Sequence, residues 1–236
     1  MAECPERRLF GLTRTPVLTV DAMGPDASVI RALARRLQPF PRAQNNYPGL
    51  RSILTAANAA CWDYVGNLLE AASPYLAGAF DLDGFDLVEA SFSLVTLPSC
   101  ALSPLQRIPH FDAVDPDLFA VLHYVNPCEG TAFYRHRSTG LEVIGADDCD
   151  EFVRDAHKDA ARAAPDYIRG STDAFEQIGC VQGSMGRLVA YPARLLHSGI
   201  IPENFSGSAD VRTGRLTTNI FIRGWRDTAR PTDNCD

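Results

Sequence analysis

Hydrophobic positions change their period along this chain, and the change separates it into parts. Over residues 25–38 an opening Pro25-Asp26 is followed by Val29, Ile30, Leu33 and Leu37, a spacing that predicts an amphipathic helix. A second helix is predicted over 56–72, ended by Ser73-Pro74 because proline removes a backbone donor and crowds the preceding turn. Between them, residues 39–49 (Pro-Phe-Pro-Arg-Ala-Gln-Asn-Asn-Tyr-Pro-Gly) are turn-forming, a loop that either lines a pocket or only joins two helices. From Phe85 onward the apolar residues fall into short β-branched and aromatic runs, at 87–97, 118–125, 131–137, 187–191 and 215–222. Proline, glycine and asparagine separate these runs, as in a sandwich or jelly roll. Residues 146–162 return to a charged helical pattern with an irregular stretch behind it to Gly183, read as an insertion between strands that packs outside the β core or covers its mouth.

The predicted class is therefore mainly β with flanking helices (α+β), in one domain. Residues 1–84 form an N-terminal helical and loop region, 85–224 a β core with a helical insertion at about 146–183, and 225–236 a tail. With 236 residues and 46% hydrophobic content, the chain suffices for one sizeable core. A net charge of -7 disfavours nucleic acid, whose phosphates call for a basic face. No apolar run approaches the roughly 20 residues of a membrane span, and the start Met-Ala-Glu-Cys-Pro-Glu-Arg-Arg lacks the pattern of a signal peptide. The expectation is a cytoplasmic protein with no membrane partner. Seven cysteines (4, 61, 100, 128, 149, 180, 235) are scattered without a C-x-x-C pair, which argues against zinc ribbons and a disulfide frame.

The candidate chemistry starts at Ile-Pro-His-Phe-Asp. His110 and Asp112 are two apart, so on an extended segment their side chains share a face and can share a metal. Such a triplet alone is weak. His197 in Leu-Leu-His-Ser-Gly completes two histidines and one carboxylate, a donor set suited to ferrous iron with open positions for an oxidant and a co-substrate. After the triplet come a strand, then Glu129-Gly-Thr-Ala-Phe-Tyr134, Gly186-Arg-Leu-Val-Ala-Tyr-Pro192, His197 and Arg215-Leu-Thr217.

In that order, over residues 89–224, the sequence resembles the Fe(II)- and 2-oxoglutarate-dependent oxygenase superfamily, within it a bacterial branch of predicted oxygenases. The resemblance implies a double-stranded β-helix (jelly roll, cupin-like) that uses Fe(II), 2-oxoglutarate and dioxygen. It implies His110, Asp112 and His197 as iron ligands and Arg215 as the anchor of the distal carboxylate of 2-oxoglutarate. A guanidinium suits that task because its planar fork grips a carboxylate through two hydrogen bonds. Thr217 follows on the same strand face and adds a hydroxyl, and Asn219 continues that face. The eighteen positions between His197 and Arg215 are more than in many relatives, which keeps Arg212 as runner-up anchor. An aspartate at 112 favours hydroxylation or desaturation over halogenation.

Other residues carry smaller expectations. His123 and Tyr124 alternate on one strand, so one of them faces the co-substrate; Tyr124 is taken as the co-substrate contact and His123 as a hydrogen-bonded core residue. His157 is read as solvated. Arg135 and Arg137, flanking His136, are either a solvated strand end or recognise an anionic group on the substrate. Asn46 and Tyr47 are candidate substrate contacts, as is the inserted helix near Phe152. Gln182-Gly-Ser-Met-Gly186 lacks the first glycine of a nucleophile elbow, and no phosphate loop or H-E-x-x-H helix occurs. The reading is a hydroxylase of a small-molecule, amino-acid or peptidyl substrate. Its rivals are a non-oxygenase metal enzyme on a cupin-like barrel and an inactive barrel serving as a binding module. Oligomeric state stays open, a homodimer included.

Overall fold

Residues 5–205 and 207–227 are described by the computed structural model, and within them every strand pairing is antiparallel. The strands are β1 (Glu6–Phe10), β2 (Thr15–Val20), β3 (Gly49–Ile53), β4 (Gly84–Val95), β5 (Leu118–Tyr124), β6 (Cys128–His136), β7 (Phe175–Gly183), β8 (Leu188–Pro192), β9 (His197–Gly199) and β10 (Arg215–Trp225). A seven-stranded sheet has the order β1-β2-β8-β5-β10-β4-β3, and a three-stranded sheet has the order β7-β6-β9. Helices α1 (Ala27–Arg36) and α2 (Ala59–Phe80) pack on one face of the large sheet.

Period-2 alternation decides what each face does. From β5, Phe119 and Val121 join the core under α2, whereas Ala120, Leu122 and Tyr124 turn toward the small sheet to meet Phe133, Val181 and Tyr191. From β10, Leu216, Ile220 and Ile222 go to the helical side. Arg215, Thr217, Asn219 and Phe221 therefore line the inner face between the two sheets. His123 points away from that face, its ring held by the Tyr64 hydroxyl at 2.7 Å and the Met23 carbonyl at 3.0 Å, so the core reading holds.

Three sequence-based expectations change. The N-terminal region is not only helix and loop, because β1, β2 and β3 extend the large sheet at both edges. Helix α2 does not stop at Ser73 but runs through Pro74 to Phe80. An internal proline costs about 3 kcal/mol, and burial of Leu76 and Phe80, worth about 2 kcal/mol or more for each side chain, offsets it. The helix ends instead at Asp81 in the left-handed region (φ 54°), with the Leu82 N–H donating to the Ala77 carbonyl. Finally, the stretch expected to be irregular contains β7, which pairs with β6 along its length.

Helix α3 (Cys149–Arg162) lies where the insertion was expected. Phe152, Ala156 and Ala160 pack with Ile108, Tyr134, Phe175 and Leu196 on the outer face of the small sheet. A hydrogen bond of 2.8 Å from His136 Nε2 to Asp159 ties the helix to β6. Of the cysteines, Cys61, Cys100, Cys128, Cys149 and Cys180 are free; Cys4 and Cys235 lie outside the described residues, as does most of the expected tail.

Glu142 joins the N-terminal hairpin to the small sheet. Its buried carboxylate accepts the backbone N–H groups of Leu12 and Thr13 at 3.0 Å, the Thr13 hydroxyl at 2.6 Å and Arg135 Nε at 2.7 Å. Burial opposes ionisation, but these donors outweigh it and hold the pKa below the ordinary glutamate value. The Glu142→Ala substitution is expected to destabilise the fold by about 3 kcal/mol in denaturant titration, since it leaves the Leu12 and Thr13 N–H groups without their acceptor and removes one of the two carboxylates on Arg135. Because the folded-state pKa is depressed, Glu142's contribution is complete above the ordinary glutamate pKa and is lost as pH falls through the folded value. The stability gap between wild type and Glu142→Gln should accordingly narrow on acidification.

Candidate active site

His110 and His197 face each other across an isolated antiparallel bridge. The His110 N–H donates to the His197 carbonyl at 2.9 Å and the His197 N–H to the His110 carbonyl at 2.8 Å. Asp112, two residues on, is fixed by its N–H on the Ala193 carbonyl at 2.8 Å. These backbone bonds put three side chains on one side. Their ring centroids are 4.4 Å apart for the histidines, and the Asp112 carboxylate oxygens are 3.8 Å from His110 Nε2 and 3.5 Å from His197 Nε2. One donor atom from each lies within 4.8 Å of the others, a spacing that one ion can bridge.

The tautomer of His197 is set by its neighbour. Nδ1 is 2.8 Å from the Leu195 carbonyl, an acceptor only, so Nδ1 carries the proton and Nε2 presents its lone pair toward Asp112. Desolvation, then His197, pushes the His110 pKa down to about 4. Its side chain is 55% exposed, which moderates the shift, yet the ordinary value near 6.5 already leaves the ring mostly neutral at pH 7. Neutral imidazole is the metal-binding form.

The triad opens into a cavity of about 680 Å³ between the sheets. At its far end Arg215 is 8% exposed, Nη2 donating to the Gly130 carbonyl at 3.0 Å, with the guanidinium 6.0 Å from the Tyr124 ring centroid. A Cβ on Gly199 would stand 3.1 Å from that Nη2, so glycine there makes room for the guanidinium. Arg215 Nε is buried without a partner, and so is the Tyr47 hydroxyl, which feels the Arg215 charge. A guanidinium with an unmatched Nε and an unmatched hydroxyl beside it call for an anionic acceptor. The residues present thus fit a metal chelate with a trailing carboxylate.

The candidate residues divide into two groups. His110, Asp112, His197, Arg215, Asn219, Asn46 and Tyr47 all line the one cavity. Thr217 lies buried beneath it with its hydroxyl on Asn219 Oδ1 at 2.7 Å. Tyr124 backs Arg215 and hydrogen-bonds Thr131 Oγ1 at 2.6 Å, and burial pushes its pKa up to about 12, so the phenol stays protonated. Arg212 is no anchor: it is exposed and paired with Asp210. Arg135 and Arg137 belong to neither the cavity nor a substrate contact. Arg135 is held by Glu142 and Glu176, and Arg137 donates to the Thr172 carbonyl; alternation puts both on the β6 face of Thr131, which lines the cavity, but farther along the strand. His157, expected in solvent, is exposed but stands on the cavity rim with Phe152.

Among curated proteins, none matches this sequence. A family profile, that of a family of unknown function designated DUF6445, matches residues 3–222. The chain belongs to DUF6445. Among solved structures, this DUF6445 chain is similar to the non-heme alpha ketoglutarate dependent epimerase SnoN from nogalamycin biosynthesis, at 16% identity over 95% of this chain and 88% of that one, with a TM-score of 0.56. It is also similar to HygX from Streptomyces hygroscopicus, solved with nickel and 2-oxoglutarate bound, at 11% identity over 89% and 83% of the two chains and a TM-score of 0.52. The fold is the jelly roll of the iron and 2-oxoglutarate enzymes, as the sequence resemblance implied.

Sequence reasoning passed over Tyr191, Arg51 and Glu89 in this DUF6445 site. Tyr191 stacks near His197 (centroids 4.8 Å), and burial, with Asp112 next, raises its pKa well above the ordinary value. Its inward position follows from alternation on β8, a signal that was available. Arg51 lay in the unassigned loop region and Glu89 in the middle of an apolar run, so neither carried a local signal. Each of His110→Ala, Asp112→Ala and His197→Ala should weaken Co(II) binding in calorimetry by about a hundredfold or more, by analogy with the 10- to 100-fold cost of losing a partner beyond the ligands themselves; Arg212→Ala should bind cobalt as wild type does.

Proposed function

We propose that this protein is an Fe(II)- and 2-oxoglutarate-dependent dioxygenase that hydroxylates a small-molecule, amino-acid or peptidyl substrate. The observation that supports it best is the pairing, within one cavity, of the His110-Asp112-His197 cluster with the buried, incompletely satisfied Arg215. A resident metal without a carboxylate co-substrate has no use for that arginine, which weakens the non-oxygenase reading. The solved relatives SnoN and HygX support the same class through their fold and, in HygX, through bound 2-oxoglutarate.

Iron with 2-oxoglutarate supplies the oxidation: one atom of dioxygen enters a substrate C–H bond, the other enters succinate, and carbon dioxide leaves. The chain's own residues hold and orient. His110, Asp112 and His197 would hold the ion through one donor atom each. Arg215 takes the distal carboxylate, with Tyr47 as a second donor, and the Thr217–Asn219 bond stiffens the strand face beneath. Phe111, Ile108 and Phe152 on the cavity wall restrict water around the metal.

Anaerobic addition of Fe(II) and 2-oxoglutarate to metal-free protein should produce a weak visible charge-transfer band at roughly 500 nm, as expected for an iron(II) chelate of a keto acid. The His197→Ala variant should lack it. Iron binding without the band would sink the oxygenase reading in favour of another metal enzyme. In the same assay Arg215→Ala should need at least tenfold more 2-oxoglutarate to develop the band, in line with loss of a charge-assisted pair of about 1.5–3 kcal/mol, whereas Arg212→Ala should titrate normally.

A further inference from the structure

The cavity extends past the triad onto β3 and β4, where Arg51 and Glu89 stand in its wall. Strand register locates them. Arg51 lies opposite Ser93, and Ser93 opposite Thr217, which puts Arg51 two strands from β10, roughly 10 Å at the usual strand spacing. Its guanidinium runs away from Arg215: Nε donates to Ser91 Oγ at 3.0 Å and Nη2 to Glu89 Oε1 at 2.6 Å. Glu89 lies opposite Phe221, which lies opposite Ala120, which lies opposite Tyr191. Glu89 thus shares a cross-strand row with Tyr191, whose phenol feels Asp112. Arg51 lies in the row of Thr217, close enough to Tyr47 that its charge acts on that phenol together with the charge of Arg215.

Arg51 keeps 14% of its side chain exposed and Glu89 38%, so solvent screens the pair and it contributes little to stability by itself. Its bonds use Nε, Nη2 and Oε1, leaving Nη1 of Arg51 and Oε2 of Glu89 out of them. The backbone is shaped around it as well. Phe221 pairs with Glu89 and Ile222 with Leu87, so Val88 is an extra residue in a β-bulge. A bulge breaks alternation, and here the consecutive Val88 and Glu89 both line the cavity. Val88, 50% exposed, and Val153 of α3, 39% exposed, are apolar parts of the same lining.

A ligand of a single charge would match one member of this pair and oppose the other, whereas a zwitterion matches both. Resting on the oxygenase reading, we infer that the primary substrate is a free α-amino acid, its ammonium on Glu89 Oε2 and its carboxylate on Arg51 Nη1. Its side chain then reaches toward His110 and Asp112, and Val88 and Val153 shield the charged head.

The test is calorimetry on protein loaded anaerobically with Fe(II) and 2-oxoglutarate. The twenty proteinogenic L-amino acids are titrated one at a time, followed by the N-acetyl and the carboxamide forms of those that bind. At least one free amino acid should bind, and blocking either end should weaken it by about tenfold or more, the worth of one charge-assisted hydrogen bond. In Glu89→Gln the penalty for N-acetylation should vanish while that for amidation persists, and in Arg51→Gln the reverse. A pair with only a structural role would weaken all forms alike. The wild-type comparison of free and blocked ligands stands even where a variant fails to fold. Binding of none of the twenty, or equal binding of free and blocked forms, overturns the inference while the 500 nm band keeps the oxygenase reading intact; absence of the band removes both.

Discussion

Everything at the site hangs on the backbone bridge between His110 and His197. Two hydrogen bonds join segments 87 residues apart and set both imidazoles on one side of the chain. The bridge continues the small sheet, since His197 also pairs with Phe133 of β6. Asp112 then follows from geometry, because two residues along an extended segment return to the same face and its N–H is already committed to Ala193. The two histidines are thus set by sheet-like hydrogen bonding, and Asp112 by a bend that the Ala193 carbonyl pins.

Around this bridge the protein distributes its buried charges unevenly. Glu142 is saturated, with four donors on its carboxylate, and serves as a joint between the N-terminal hairpin and the small sheet. Arg187 likewise holds Asp21 through two bonds. Arg215 differs, with one bond to a carbonyl and an unmatched Nε. Unsatisfied buried donors are rare because each costs about 1–3 kcal/mol; Nε of Arg107 and of Arg194 are unmatched as well, but of these three arginines Arg215 is the one that lines the cavity of the triad. An unmatched Nε together with a place in the cavity, and neither alone, sets Arg215 apart from Arg135, which Glu142 and Glu176 fill.

The two walls of the cavity have different characters. The β10 side and Tyr47 present donors suited to a carboxylate, whereas β3 and β4 present a balanced pair beneath apolar side chains. The cavity walls therefore carry two chemically distinct sets of side chains. The bulge at Val88 is the local irregularity that brings Val88 into the cavity wall beside Glu89, since strict alternation would send it to the opposite face.

The sequence by itself determined the β core, the flanking helices, and the order of His110, Asp112, His197 and Arg215-x-Thr217, because period and ligand spacing are local properties of a chain. It also determined that His123 and Tyr124 face opposite ways. Tertiary structure decided what depends on partners distant in sequence. Pro74 inside α2 is tolerated because the sheet buries the turns around it, and β7 is a strand because β6 offers it hydrogen bonds. Arg135 and Arg137 read as an anion site along the chain and become structural only when Glu142, Glu176 and the Thr172 carbonyl reach them. The choice of Arg215 over Arg212 belongs to both levels: alternation aligned Arg215 with Thr217, but only folding showed one guanidinium buried with a donor to spare and the other spent on Asp210 in solvent. A side chain's chemistry is written in the sequence; whether that chemistry is already satisfied depends on which distant groups the fold brings beside it.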